Sequence, residues 1–233
     1  LKRILSTNFA LGNIKSEDII DPSELLVPPG DRVYRILSRE MEFESQALVF
    51  FIRDYSGSMA GKCTELIVSQ HVFLYSWLNY QYKKRLETKF ILHDTQPKEV
   101  PDFYTYINLQ VAGGTQVVAA YRYVNELIRK EELHRNYNIY VFQGTDGDDW
   151  DEVGKETIPE LKKLLDYASR VGITIVEHDY SSGSKTQVQQ YLEKSGILTE
   201  MSDKVRMDVI NENADEQRLI QGIRALVSQK VDI

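Results

Sequence analysis

Short apolar runs alternate along the chain with stretches whose apolar residues recur every three or four positions. The runs are "ALVFFI" (47–52), "KFILH" (89–93), "NIYVF" (138–142) and "ITIVEH" (173–178). Continuous runs of this length, in part β-branched or aromatic, read as strands buried on both faces, as in a mostly parallel sheet. "KVRMDVI" (204–210) instead alternates Val205, Met207 and Val209, which predicts a strand with one face more exposed. Between the strands, Val117, Ala120, Tyr121, Val124 and Ile128 keep helical spacing. So do Ile158, Leu161, Leu165 and Ala168, and so do Leu219, Ile220, Ile223, Leu226 and Val227 within a C-terminal helix expected over 213–230. Residues 62–85 predict a longer helix, apolar around more of its circumference and deeply packed. These stripes are core positions rather than cofactor contacts. Strand–helix alternation of this kind predicts an α/β fold, a doubly wound, mostly parallel central sheet flanked by helices. "DFYTYINLQ" (102–110) is ambiguous between an edge strand and irregular structure. "VPPGD" (27–31) is a turn or linker signal. Residues 1–45 are expected to be an N-terminal extension and 46–233 the domain proper.

Composition changes this picture little. The 233 residues are 42% hydrophobic and 27% charged, enough for a single core without a large disordered portion. The net charge of −7 argues against nucleic acid and against an anionic membrane as partners, since both call for a basic footprint. No apolar run approaches the roughly 20 residues of a membrane span. The one cysteine, Cys63, has no internal disulfide partner, which fits a reducing, cytoplasmic location and a small apolar role on a buried helix face. The chain begins at Leu1 without a basic-then-apolar leader, the expectation for a piece of a longer or processed protein.

The candidate chemistry sits where strands end. "FFIRDYSGSM" (50–59) closes a buried strand with Asp54 and places Ser56 and Ser58 at alternate positions after it. "AGGTQVV" (112–118) sets Thr115 at the expected N-cap of a helix behind two glycines, and "FQGTDGDDW" (142–150) puts Asp146 directly after a strand. In open α/β sheets, ligands bind at the carboxyl ends of the strands, where these loops converge. Two carboxylates and three hydroxyls are hard oxygen donors, the preference of Mg²⁺ or Mn²⁺ rather than zinc. Gly57, Gly114, Asp94 and Asp148 are the residues expected to surround this set. Two carboxylates at most neutralise a divalent ion, so an open coordination position would attract an anionic oxygen, such as an Asp or Glu of a partner protein. The D-x-S-x-S pentad alone arises by chance in about one chain in twenty of this length and could be a polar turn with Ser58 capping a helix. Its combination with G-G-T and D-G after further strands is what gives it weight.

"DYSGSM", "GGT" and "TDGD", in that order along alternating strands and helices, resemble the metal-ion-dependent adhesion site of von Willebrand factor A (vWA) domains. The resemblance spans about residues 46–230. It implies one divalent cation held by Asp54, Ser56, Ser58, Thr115 and Asp146, some of them through water, with a ligand carboxylate completing the shell. "FILHDTQPKEV" (90–100), "DFYTYINLQVAGGT" (102–115) and "NYNIYVFQGTDGDDW" (136–150) are similar to the bacterial YeaH/YhbH-like family. Some of its members accompany PrkA-type serine/threonine kinases in stress and sporulation settings. That similarity implies an accessory or scaffold role, with such a kinase as a partner.

Two further readings stay open on the sequence. Asp146, Asp148, Asp149, Asp151 and Glu152 form an acidic loop. It reads either as a second cation site or partner-selecting rim, or as a solvated loop whose carboxylates favour a helix N-terminus. His93 and His178 also fall at strand ends, so a Ser–His–Asp hydrolase using the same crevice is the alternative function. Against it, "DYSGS" lacks the first glycine of a nucleophile elbow, and no oxyanion-hole motif stands out. His71 and His134 have no role beyond packing. The G-G-T loop lacks the spacing of either phosphate-binding glycine motif. The expected chemistry is therefore binding without catalysis.

Overall fold

The computed structural model describes residues 7, 8, 10, 11, 46–82, 85–109, 113–179 and 184–228. The chain divides into two compact units, 1–43 and 44–233. The expected extension over 1–45 and the turn at 27–31 lie almost wholly outside the described residues. Among those residues, one sheet carries strands β1 (Gln46–Asp54), β2 (Leu86–His93), β3 (Pro97–Val100), β4 (Tyr137–Thr145), β5 (Ala168–Glu177) and β6 (Val205–Asn211). Their order is β3-β2-β1-β4-β5-β6, and every neighbouring pair is parallel except β3 on β2. The helices are α1 (Lys62–Tyr82), α2 (Phe103–Asn108), α3 (Val117–Lys130), α4 (Thr157–Tyr167), α5 (Gln187–Lys194), α6 (Ile197–Glu200) and α7 (Glu216–Val227).

Both faces of the sheet are covered, which is why the strands read as unbroken apolar runs. Leu48, Phe50 and Ile52 of β1 point into a core shared with Val117 and Val124 of α3, Leu161 and Leu165 of α4, and Val188 of α5. Val49 and Phe51 point the other way, against Leu74 and Leu78 of α1, Tyr106 of α2 and Leu226 of α7. This is the doubly wound, mostly parallel α/β arrangement that the alternation predicts. No helix among the described residues is long and apolar enough to cross a membrane.

Local differences have physical causes. Over residues 103–108 the segment is a helix rather than an edge strand or irregular: Asp102 caps α2 by accepting from Thr105 N at 2.8 Å, and Tyr106 at helical spacing from Phe103 is buried. The edge strand is β3, whose exposed residues Lys98 and Glu99 carry no apolar signal. Ala168 opens β5 rather than closing α4, because it pairs with Ile139 of β4. In β6 the face opposite Val205 is not left open, since Asp208 is buried by a two-pronged pairing with Arg218 of α7 at 2.6 and 3.0 Å.

One position ties sheet to helix at the site. A Cβ on Gly144 of β4 would overlap Cγ2 of Ile67, a fully buried residue of α1. Gly144→Ala is expected to destabilise the domain by about 1–3 kcal/mol through overpacking. Denaturant unfolding of the two proteins checks it, and equal midpoints would show that α1 shifts freely over β4.

Candidate metal centre

β1 is the strand from which the order reverses, with β2 on one side and β4 on the other, so a crevice opens at its carboxyl end. Asp54 is the last residue of β1 and is fully buried. Its Oδ1 accepts from Ser56 N at 2.9 Å and its Oδ2 from Thr145 Oγ1 at 2.9 Å. Each oxygen therefore keeps a lone pair for another partner. Ser56 and Ser58 follow on a single 3₁₀ turn, Gly57–Met59, with their hydroxyl oxygens 3.1 Å apart. Ser58 lies four residues before the first residue of α1 and against Asp146, so it is not the cap of that helix.

Asp146, the residue after β4, is 3% exposed; its Oδ1 accepts from Asp148 N at 3.1 Å, and its Oδ2 has no hydrogen-bond partner. Gly57 N donates to Gly113 O at 3.0 Å, drawing the serine turn against the G-G-T loop. Asp94 holds that loop from behind. Its carbonyl accepts from Gln116 N at 2.8 Å, and its carboxylate occupies the place where a side chain on Gly113, at φ +95°, would project. Thr115 is not the N-cap of α3, as the sequence suggests: Gln116 holds that position, and the capping acceptor is Asp149 Oδ1, 3.2 Å from Val117 N.

Ser56, Ser58, Thr115, Gly114, Asp148 and Trp150 line an open cleft of about 480 Å³, with Asp54 and Asp146 buried nearby. Gly114 packs against the Trp150 indole, which is itself 65% exposed at the cleft's rim. Burial pushes the Asp54 carboxyl up to about 6. Burial and then the neighbouring Asp54 raise Asp146, and burial and then Asp146 raise Asp148. No Lys or Arg among the described residues forms an ion pair with Asp54 or Asp146; His178 Nε2 stands 3.8 Å from Asp146 Oδ2. Two buried carboxylates that repel each other and face hydroxyls at an open cleft fit a hard divalent cation.

In the acidic loop, Asp149 and Asp151 brace helix ends, while Asp148 and Glu152 line the cleft. Asp149 accepts at Oδ1 from Val117 N and Asp151 N, and at Oδ2 from Thr157 Oγ1 at 3.3 Å and Tyr191 OH at 3.1 Å. Asp151 accepts from the backbone N–H groups of Lys155, Glu156 and Thr157, each at 2.8 Å, at the start of α4. His93 is fully buried at the end of β2 with neither ring nitrogen hydrogen-bonded, and burial pulls its pKa down to about 4. His71 is buried against Tyr106 OH at 2.8 Å and is pulled down to about 3 by burial and then Arg53. Sequence reasoning missed Thr145 and Tyr191. Thr145 stands one residue before Asp146, but nothing in its spacing marks it as the hydroxyl that braces Asp54.

A family model described as "Protein of unknown function (DUF444)" matches residues 26–230. A UPF0229 protein of Vibrio vulnificus (strain CMCP6) is 36% identical over 121 residues, 52% of this chain and 27% of that protein. A UPF0229 protein of Ruminiclostridium cellulolyticum is 29% identical over 70% of this chain and 40% of its own length. The matches thus span well under half the length of these curated relatives. Among solved structures, the manganese-loaded TRAP protein of Plasmodium vivax superposes with a TM-score of 0.53 at 14% identity, over 79% of this chain and 74% of that one. The pilus adhesin SpaC of Lactobacillus rhamnosus GG, in an open conformation, gives 0.56 at 11% identity, over 77% of this chain and 29% of that one. The fold is vWA-like.

Proposed function

This chain belongs to the DUF444 family, and from that premise we propose that its domain is a divalent-cation-dependent protein-binding module. Mg²⁺ or Mn²⁺ would be held by Asp54, Ser56, Ser58, Thr115 and Asp146, as in a metal-ion-dependent adhesion site. The cation would supply a Lewis-acidic position, open to the cleft, for an Asp or Glu carboxylate of a partner protein. The observation that carries this reading is the pair of buried, mutually repelling carboxylates beside three hydroxyl residues at one open cleft. The manganese-loaded neighbour of like fold supports the choice of ion. Asp149 and Asp151 hold α3 and α4 in place around that cleft. The proposed role is binding rather than catalysis; in its favour, the Ser56 hydroxyl partners Ser58, and neither ring nitrogen of buried His93 has a hydrogen-bond partner. A serine/threonine kinase is the partner that the family resemblance puts first for testing.

The test is capture of such a kinase by the full chain with Mg²⁺, with EDTA, and with Asp54→Ala. Capture that is lost under both treatments is the expected result. Equal capture with EDTA and by the variant would end the proposal.

A further inference from the structure

A second cluster of donors lies beside the oxygen site and has a different chemistry. Cys63 is in the first turn of α1, His178 directly follows β5, and Glu212 directly follows β6, so three separate elements deliver one ligand atom each. These atoms all lie within 4.8 Å of one another. Cys63 Sγ is 3.5 Å from His178 Nδ1 and 3.7 Å from Nε2, and Glu212 Oε2 is 3.0 Å from Nδ1. Asp146, with its buried Oδ2 lacking a hydrogen-bond partner, stands 3.8 Å from His178 Nε2 on the other edge of the ring, outside the three-donor cluster. Neighbouring ligands of a tetrahedral zinc ion bound at about 2.0–2.3 Å stand at similar separations.

We propose that Cys63, His178 and Glu212 form a site for a borderline-soft divalent ion, Zn²⁺ by preference, next to the Mg²⁺ or Mn²⁺ site, with water completing its shell. Thiolate and imidazole donors select zinc over magnesium, as the hydroxyls of the neighbouring site select the reverse. Binding replaces the Cys63 S–H bond with a metal–sulfur bond and releases one proton, while neutral His178 binds through a ring-nitrogen lone pair. Burial, followed by Asp146 and Glu212, pushes the metal-free thiol up to about 12, so the ion must displace a firmly held proton. The carboxylates that hold that proton are the charges that stabilise the cation. A bound ion would join the start of α1 to the ends of β5 and β6, beside the loop that carries Asp146.

The experiment is titration of the purified full chain with Zn²⁺, and with Co²⁺ as its coloured stand-in, in parallel with Cys63→Ser, Glu212→Gln and Asp54→Ala. One equivalent should bind, and Co²⁺ should give a thiolate-to-metal charge-transfer band in the near ultraviolet. Cys63→Ser should abolish the band and weaken Zn²⁺ binding, and Glu212→Gln, which removes a ligand, should weaken it by more than the roughly 100-fold reached by outer partners of a metal site. Asp54→Ala, which removes the oxygen site, should leave the band intact, so the two sites fail separately. Absence of the band from folded wild-type protein would overturn the site, as would Zn²⁺ binding that survives Cys63→Ser but not Asp54→Ala. Glu212→Gln keeps the proposal testable if Cys63→Ser does not fold, because Glu212 is partly exposed at a strand end. Unchanged binding by that variant would also overturn the site.

Discussion

Asp149→Ala is expected to lower the unfolding free energy by about 2–4 kcal/mol, the largest effect of any change in the acidic loop. The carboxylate is 5% exposed and accepts from Val117 N, Asp151 N, Thr157 Oγ1 and Tyr191 OH. Removing it strips those donors of their acceptor and frees the first turn of α3, which has no other side-chain cap. Part of the loss is offset because burial raises the pKa of Asp149, so the native protein already carries a desolvation cost there. Glu152→Ala serves as the control on the same loop, with an expected change within about 0.5 kcal/mol. Urea unfolding of both variants distinguishes a structural brace from a rim charge. A stable Asp149→Ala protein that had lost metal binding would make Asp149 a ligand instead.

The second large effect links pH, stability and the cation. Asp54 has its folded-state pKa raised from 3.8 to about 6 by burial, so between those values the native state holds more protons than the unfolded chain. The contribution is therefore fully favourable below pH 4 and is lost as pH rises through 6, a change on the order of 3 kcal/mol. Buried His71 and His93, pulled down to about 3 and about 4, act in the opposite direction over much of the same window. The wild-type curve alone consequently mixes the two. Asp54→Asn isolates the carboxylate: in EDTA, its stability advantage over wild type should grow between pH 4 and pH 7. Mn²⁺ at pH 7 and about a thousand times Kd should reverse that order, since binding to the native state then adds about 4.1 kcal/mol, more than the cost of ionising Asp54. A variant advantage independent of pH would mean that Asp54 is not charged against its surroundings.

The sheet was legible because its strands are buried on both faces, so Ala47–Ile52 and Ile139–Phe142 carry their signal in plain composition. Exposed elements were not legible. β3 is four residues long with Lys98 and Glu99 outward, and α2 is short enough that aromatic Phe103, Tyr104 and Tyr106 read equally well as strand. The placement of Asp54 and Asp146 at the ends of β1 and β4 was legible because the alternation itself defines it, whereas Thr115 lies in a loop between α2 and α3, after a helix rather than a strand. The braces of the site were not legible, because Thr145, Asp149 and Tyr191 act through contacts that only the folded loops create. Cys63 shows the same limit. Its place on a buried helix face follows from sequence, but its meeting with His178 and Glu212 depends on where β5 and β6 end.

The central claim is that the oxygen set holds one divalent cation, and a calorimetric Mn²⁺ titration of the purified chain tests it most directly, with Asp54→Ala and Cys63→Ser alongside. Saturable binding of one Mn²⁺ is predicted, retained in Cys63→Ser and weakened in Asp54→Ala by more than the roughly 100-fold reached by outer partners of a metal site. Equal binding by wild type and Asp54→Ala, or none by a folded wild-type chain, would contradict it.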